Sequence, residues 1–157
     1  MTDTSVTKDR ATKDPATKDP ATKDPVAGAA VTGRPLLILI AGPYRSGTGD
    51  DPEKMAANLA RLEAAAWPVF AAGHVPMIGE WVALPVLRSA GATVFDPVSE
   101  QVMYPTAQRL LAHCHAVLRL PGESRGADQD VAIARQRGLP VYHRLEDIPV
   151  RAGADQP

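Results

Sequence analysis

Ala116-Val117-Leu118-Arg119-Leu120 (AVLRL), Pro121-Gly122-Glu123-Ser124-Arg125-Gly126 and Ala127 to Arg137 (ADQDVAIARQR) form the stretch that decides the fold. It reads as a buried strand, a glycine-containing loop and a helix. In open α/β sheets that arrangement puts a ligand at the carboxyl end of the strand. At about 100° per residue, Ala127, Val131 and Ala134 fall on one side of the helix and form its inward stripe. Asp130 falls beside that stripe rather than opposite it. A carboxylate one turn into a helix, on its packed side, is costly to bury unless it has a use.

Working outward, the same pattern occurs upstream. Leu36 to Ile40 (LLILI) is a continuous apolar run, the signature of a central parallel strand covered on both faces. It leads into a loop, Ala41 to Gly49, that holds three glycines, Gly42, Gly47 and Gly49. Asp50 or Asp51 then caps a helix that begins at Pro52, with Glu53 in its first turn and Ala56, Leu59, Ala60, Leu62 and Ala66 facing inward. Pro68 is expected to end or kink this helix near Trp67. His74 to Ile78 reads as a second strand, Glu80 to Ala90 as a helical segment broken by Pro85, and Ala92 to Phe95 as a short strand or a loop. A helix from Val98 to about His113, kinked or broken at Pro105, leads into the strand at Ala116. Gly138 stops the helix after that strand, and Leu139 to His143 makes the last strand.

This order predicts a small three-layer α/β sandwich with a mostly parallel sheet, Rossmann- or flavodoxin-like. It occupies residues 35 to 150, a size that sustains its own core. Residues 7 to 26 are four pentapeptides of the TKDPA type, with almost no apolar surface to offset ordering entropy. Residues 1 to 34 are therefore expected to be a disordered tail, and 151 to 157 a frayed end. The 157-residue chain carries a net charge of -1, which gives no basic excess for a nucleic-acid polymer. Its single cysteine, Cys114, excludes an internal disulfide and a multi-cysteine zinc site. No apolar run approaches a membrane span and no signal-peptide core is present, so a cytoplasmic protein is expected. The glycine loops lack the GxxxxGK[ST] and GxGxxG spacings, leaving a triphosphate P-loop and a dinucleotide fingerprint unsupported.

Ala41-Gly42-Pro43-Tyr44 after the first strand, Asn58 on the helix, Gly73-His74-Val75-Pro76, Cys114 to Gly122, Ser124, Gly126 to Asp130 with Ala134, and Gly138 to Tyr142 together resemble the nucleoside 2-deoxyribosyltransferase-like superfamily. Within it the likeness is to a small bacterial branch, the DUF4406 type, and it spans roughly residues 36 to 143. The resemblance implies cleavage or transfer at the N-glycosidic bond of a nucleoside or nucleoside 5′-monophosphate. There a Gly-x-x-x-Glu segment opening a helix supplies a carboxylate that attacks C1′ and displaces the base. The matching segment here is Gly126 to Asp130, so Asp130 takes the nucleophile position, its carboxylate one methylene (about 1.5 Å) nearer the backbone. His115 stands where the family commonly has an aspartate.

Around Asp130, candidates for a second acid that protonates the leaving base are Asp96, Glu80 and Asp128. Asp128 also reads as a first-turn acid that favours the helix dipole. Candidate substrate contacts are Gly42, Pro43, Tyr44, Arg45, Ser46 and His74 on one side and Gly122, Ser124, Arg125 and Gly126 on the other. A 5′-phosphate, if present, is expected at Arg45 and Ser46 near a helix amino end, with Ser124 and Arg125 across from them. Neither a metal nor a cofactor is expected, and a homo-oligomer, dimer or larger, is. The rival readings are a non-catalytic nucleotide-binding or sensing domain of the same fold, and an interaction protein that works through its tail.

Overall fold

A computed structural model describes residues 33 to 153. It is an α/β domain with four parallel strands in the order β2-β1-β3-β4. The strands are β1 (Leu37–Ala41), β2 (Val75–Ile78), β3 (Ala116–Arg119) and β4 (Val141–Tyr142). Five helices join them: α1 (Pro52–Ala64), α2 (Ala66–Ala71), α3 (Gly79–Ser89), α4 (Ser99–Leu111) and α5 (Arg125–Gln136). The expected three-layer, Rossmann-like sandwich is therefore present. Residues 1 to 32 and 154 to 157, where the pentapeptide repeat and the last residues fall, lie outside the described residues.

Strand alternation sorts the core into two layers. Ile38 and Ile40 of β1, with Ala116 and Leu118 of β3, face Leu62 of α1 and Val69 of α2. Leu39 and Ala41, with Val117, face Leu111 of α4 and the α5 stripe Ala127, Val131 and Ala134. The chain leaves β1 in one direction, through α1 and α2 to β2. It then returns across β1, through α3 and α4 to β3, on the opposite face. The sheet reverses its order between β1 and β3, paired at Ile40 with Leu118 and at Ala41 with Arg119. A reversal of this kind opens a crevice at the carboxyl ends of the two strands.

Local chemistry accounts for the boundaries and for the departures from expectation. Asp51 caps α1 by accepting from the backbone N–H groups of Glu53 and Lys54. Its inward residues are Met55, Leu59 and Leu62, at i, i+4 and i+7, whereas Ala56 and Ala60 are exposed. The break near Pro68 comes earlier than expected, at Ala65. Pro68 sits in the first turn of α2, where a missing N–H leaves no helical carbonyl without a donor. Pro85 and Pro105 lie inside α3 and α4 without ending either helix. Each removes one hydrogen bond, to Trp81 or Gln101, whose residues are exposed to water. Residues 92 to 95 form a loop rather than a strand. Helix α5 ends as expected at Gly138: Leu139 N–H donates to the Ala134 carbonyl (2.9 Å) and Gly138 N–H to that of Arg135 (3.0 Å). Strand β4 is shorter than Leu139 to His143, since Pro140 has no N–H for the ladder. Arg151 is tied in rather than frayed, donating its N–H to the Ala72 carbonyl at 2.9 Å. No helix among the described residues is long and apolar enough to cross a membrane.

Candidate active site

The crevice between β1 and β3 holds a cavity of about 160 Å³. Its floor is Leu39 to Gly42. Its walls come from Tyr44, Arg45 and Ser46 of the first loop, Gly79 and Glu80 of α3, Ser99, Glu100, Met103, Tyr104 and Ala107 of α4, and Ser124, Gly126, Ala127 and Asp130 of α5. Four segments distant in sequence thus meet at one point, and Asp130 faces into it.

Asp130 reaches the cavity because Ser124 fixes the start of α5. Its side chain is buried and accepts from Ala127 N–H at 3.2 Å. Ala127, Val131 and Ala134 then seat the helix on β3, which leaves position 130 turned along the sheet edge toward α3 and α4. Burial pushes the Asp130 carboxyl up, the Glu80 carboxylate pushes it further, and Arg119 opposes both, with the net at about 7. Glu80, in the first turn of α3, is also raised by burial, partly offset by its own backbone N–H. Burial and the charge of Glu80 likewise raise the Tyr44 hydroxyl. The Cys114 thiol, beneath α5, is pushed up to about 11 by burial and by Asp130. A carboxyl pair in low dielectric does not easily ionise twice, and both acids are accordingly raised above the ordinary carboxylate range.

The expected substrate contacts divide into three groups. Gly42, Tyr44, Arg45, Ser46, Ser124 and Gly126 line the cavity. Asn58 holds this first loop by donating to the Tyr44 carbonyl at 2.9 Å. Pro43, Gly122 and Arg125 are next to the cavity without lining it. Pro43 and Gly122 set how closely the two loops approach. A Cβ on Gly122 would come within 2.8 Å of Pro43 Cγ, and Gly122 has φ +115°, a region that L side chains rarely adopt. His74 is the outlier. It is buried at the amino-terminal end of β2, where its Nδ1 accepts from Leu36 N–H (3.2 Å) and its Nε2 meets the Pro149 carbonyl at 2.6 Å. That is the far end of the sheet, so His74 ties chain segments together and does not meet a ligand in the crevice. His115 acts in the same way, its Nδ1 accepting from Leu37 N–H at 2.9 Å.

Of the three candidate second acids, the structure brings only Glu80 to Asp130. Asp96 is exposed and closes a turn, accepting from Thr93 N–H (2.7 Å) and Thr93 Oγ1 (2.8 Å), contacts that lower its pKa. Asp128 is exposed and pairs with Arg119 at 2.8 Å. Arg119 itself escaped the sequence reading. Its mostly buried guanidinium also donates to the carbonyls of Leu120 and of Gly122 (2.8 Å). It thereby clamps the β3-α5 loop to the first turn of α5. Glu100, Met103, Tyr104 and Ala107 were also missed. Their spacing of i, i+3, i+4 and i+7 on α4 is the signal that marks one helix face.

The cations at the rim are already engaged. Arg45 forms a two-point pair with Asp50 (2.5 and 2.9 Å), donates to the Val94 carbonyl (2.9 Å) and lies over the Phe95 ring. Asp50 holds this geometry with φ 63°, a conformation uncommon for any residue but glycine. Arg125 approaches Glu100 at 3.7 Å and donates to the Tyr104 hydroxyl at 3.3 Å.

No protein-family model and no curated protein matches the sequence.

Proposed function

We propose that the chain cleaves or transfers at the N-glycosidic bond of a nucleoside or nucleoside 5′-monophosphate, with Asp130 as nucleophile and Glu80 as its acid-base partner. The observation that carries this reading is the pair itself: two carboxyls with raised pKa, one in the first turn of α3 and one in the second turn of α5, lining one cavity at the switch point of the sheet. Paired carboxyls pushed toward neutrality are what displacement at an anomeric carbon requires, one ionised to attack and one protonated to give. The superfamily likeness of Gly126 to Asp130 points to the same residue.

In the proposed reaction an Asp130 oxygen bonds to C1′ as the bond from C1′ to the base nitrogen breaks. The electron pair leaves with the base, which takes the proton of Glu80. The resulting glycosyl ester is resolved by water, whose proton returns to Glu80, or by the nitrogen of a second base. Positive charge developing on the sugar ring faces two acids in a site of low dielectric, which favours the transition state over the neutral ground state. The apolar wall of Met103, Ala107 and Leu39 and the ring of Tyr104 suit the flat face of a base.

The test is release of free base from a panel of deoxynucleosides, nucleosides and their 5′-monophosphates, with and without a second base as acceptor. Asp130→Ala is expected to abolish turnover, and mass spectrometry of the quenched wild-type protein is expected to find a glycosyl adduct on Asp130. Undiminished turnover in Asp130→Ala overturns the mechanism. The shorter acid at the nucleophile position is the one feature that favours a non-catalytic nucleotide-binding domain instead. Calorimetric binding without turnover would select that reading.

A further inference from the structure

We infer that two copies of the chain pair reversibly through an apolar patch that α2 presents at the amino-terminal edge of the sheet, the end opposite the crevice. The chain has two tryptophans and two phenylalanines, and all four rings are exposed although the core is built mainly from Ile, Leu, Val and Ala. Two of the four have polar partners: Trp81 Nε1–H donates to Glu63 at 2.9 Å, and the Phe95 ring lies under Arg45. Trp67 and Phe70, at i and i+3 on α2, stack on each other with ring centroids 5.9 Å apart and planes 29° apart. They still remain 60% and 58% exposed. The patch belongs to the start of β2, because Gly73 N–H donates to the Phe70 carbonyl (2.8 Å) and His74 N–H to that of Val69 (3.2 Å). Val150, also exposed, extends it. That residue is held beside the end of α2 by its two neighbours, Pro149 through His74 and Arg151 through the Ala72 carbonyl.

Aromatic rings left in water are the residues most enriched at the centres of interfaces, and the chemistry of this patch selects a second copy as its occupant. Helix α2 (AWPVFA) carries no charged side chain, so a charged partner finds nothing there to pair with, whereas the patch meets itself without like-charge repulsion. A two-fold axis sets each Trp67–Phe70 stack against the same stack and closes the assembly at two chains. An added strand is disfavoured at the neighbouring edge of β2. Val75 N–H donates inward to the Leu36 carbonyl (2.8 Å), so Pro76 holds the next outward position and has no N–H to offer. The exposed parts of Trp67, Phe70 and Val150 amount to roughly 300 Å² per copy. Facing its counterpart, with the polar rim that surrounds an interface core, the contact covers about 1,000 Å² in total. That is the size of a reversible dimer rather than a permanent one. Since the crevice opens at the carboxyl ends of β1 and β3, pairing through α2 leaves both crevices clear of the contact.

The experiment is analytical ultracentrifugation of the full-length chain from about 5 to 500 μM, a range that brackets the micromolar affinity of a small interface. A monomer–dimer equilibrium is expected. A monomer throughout, or growth beyond the dimer, overturns the inference. The double variant Trp67→Ser, Phe70→Ser is expected to weaken pairing at least tenfold with an unchanged far-UV circular dichroism spectrum, because both rings are exposed. Val86→Ser, an exposed apolar residue of the groove between α3 and α4, is expected to leave pairing unchanged. A dimer that survives the double variant at its original strength, or one that Val86→Ser disrupts, uses another face and overturns the inference. A second readout leaves the patch intact: in Trp81→Phe the sole tryptophan is Trp67, whose emission should shift to shorter wavelength as dimers form. Emission that stays constant across the monomer–dimer transition overturns the inference as well.

Discussion

Replacing Asp130 by asparagine is expected to stabilise the fold and to do so only above mild acid. Asp130 has a pKa of about 7 against an ordinary 3.8, because burial and Glu80 both disfavour its charge. At roughly 1.4 kcal/mol per pKa unit, that difference corresponds to a cost of about 4 kcal/mol for ionising the group in the fold rather than in the unfolded chain. The side chain keeps partial contact with water, which reduces the expected net effect to about 2 kcal/mol. The sign follows from proton counting. Between pH 4 and 7, roughly, the folded state holds a proton that the unfolded state has lost, so stability from this group is present in acid and is lost as pH rises. Asparagine is neutral throughout. The two proteins should therefore melt together near pH 4 and separate progressively, with the variant higher by roughly 8 °C at pH 8 for a domain of this size. Thermal denaturation followed by circular dichroism between pH 4 and 8 reads the difference. A melting difference that stays constant across that range refutes a carboxylate strained by burial. The same variant is expected to lack base-releasing activity, so that stability and function move in opposite directions at one residue.

Three further substitutions probe the surroundings of that carboxyl. Glu80→Gln removes the like charge that raises Asp130, so the acid limb of the kcat/KM profile should move to lower pH, with a fall in kcat from loss of the proton donor. Arg119→Met breaks the clamp onto Asp128 and the loop carbonyls and removes the group that lowers Asp130. A stability loss of about 1–3 kcal/mol by denaturant titration is expected, with that acid limb moving upward. Gly122→Ala introduces a Cβ 2.8 Å from Pro43 Cγ at φ +115°, and about 2–4 kcal/mol should be lost, with a lower midpoint and an unchanged denaturant slope.

The fold was legible because its signals are local and apolar. The run Leu36 to Ile40, the stripe Ala127-Val131-Ala134 and the stop at Gly138 each imply their element without reference to the rest of the chain. The prolines misled because the cost of a lost hydrogen bond depends on what its carbonyl faces. Trp81 and Gln101, the residues whose carbonyls lose that bond, are exposed, a fact of tertiary placement. In the site, Asp130 could be read from its own helix, since its angle to the stripe is a property of eight consecutive residues, roughly two helical turns. Glu80 could be nominated but not chosen over Asp96 and Asp128, because the choice depends on which loop ends fold together. Arg45 shows the limit most clearly. A guanidinium in a glycine loop at a helix start reads as an anion site, and its capture by Asp50 depends on a left-handed backbone conformation at Asp50 that sequence pattern does not encode.

The same placement explains why the site holds protons rather than anions. Helices α3 and α5 both begin at the carboxyl edge of the sheet, and their positive ends would ordinarily lower the pKa of a nearby carboxyl. Here desolvation outweighs that effect at both acids, and at Asp130 the charge of Glu80 adds to it, so both rise. An acid held near neutrality by repulsion responds to any cation that arrives. In the proposed reaction that cation is the sugar ring itself. As its charge grows, the carboxylate facing it is stabilised, the competition between Asp130 and Glu80 relaxes, and the proton held between them becomes easier to pass to the departing base. Covalent attack and proton donation are then coupled through one electrostatic field, which works in this direction only while the cavity keeps its excess of negative charge.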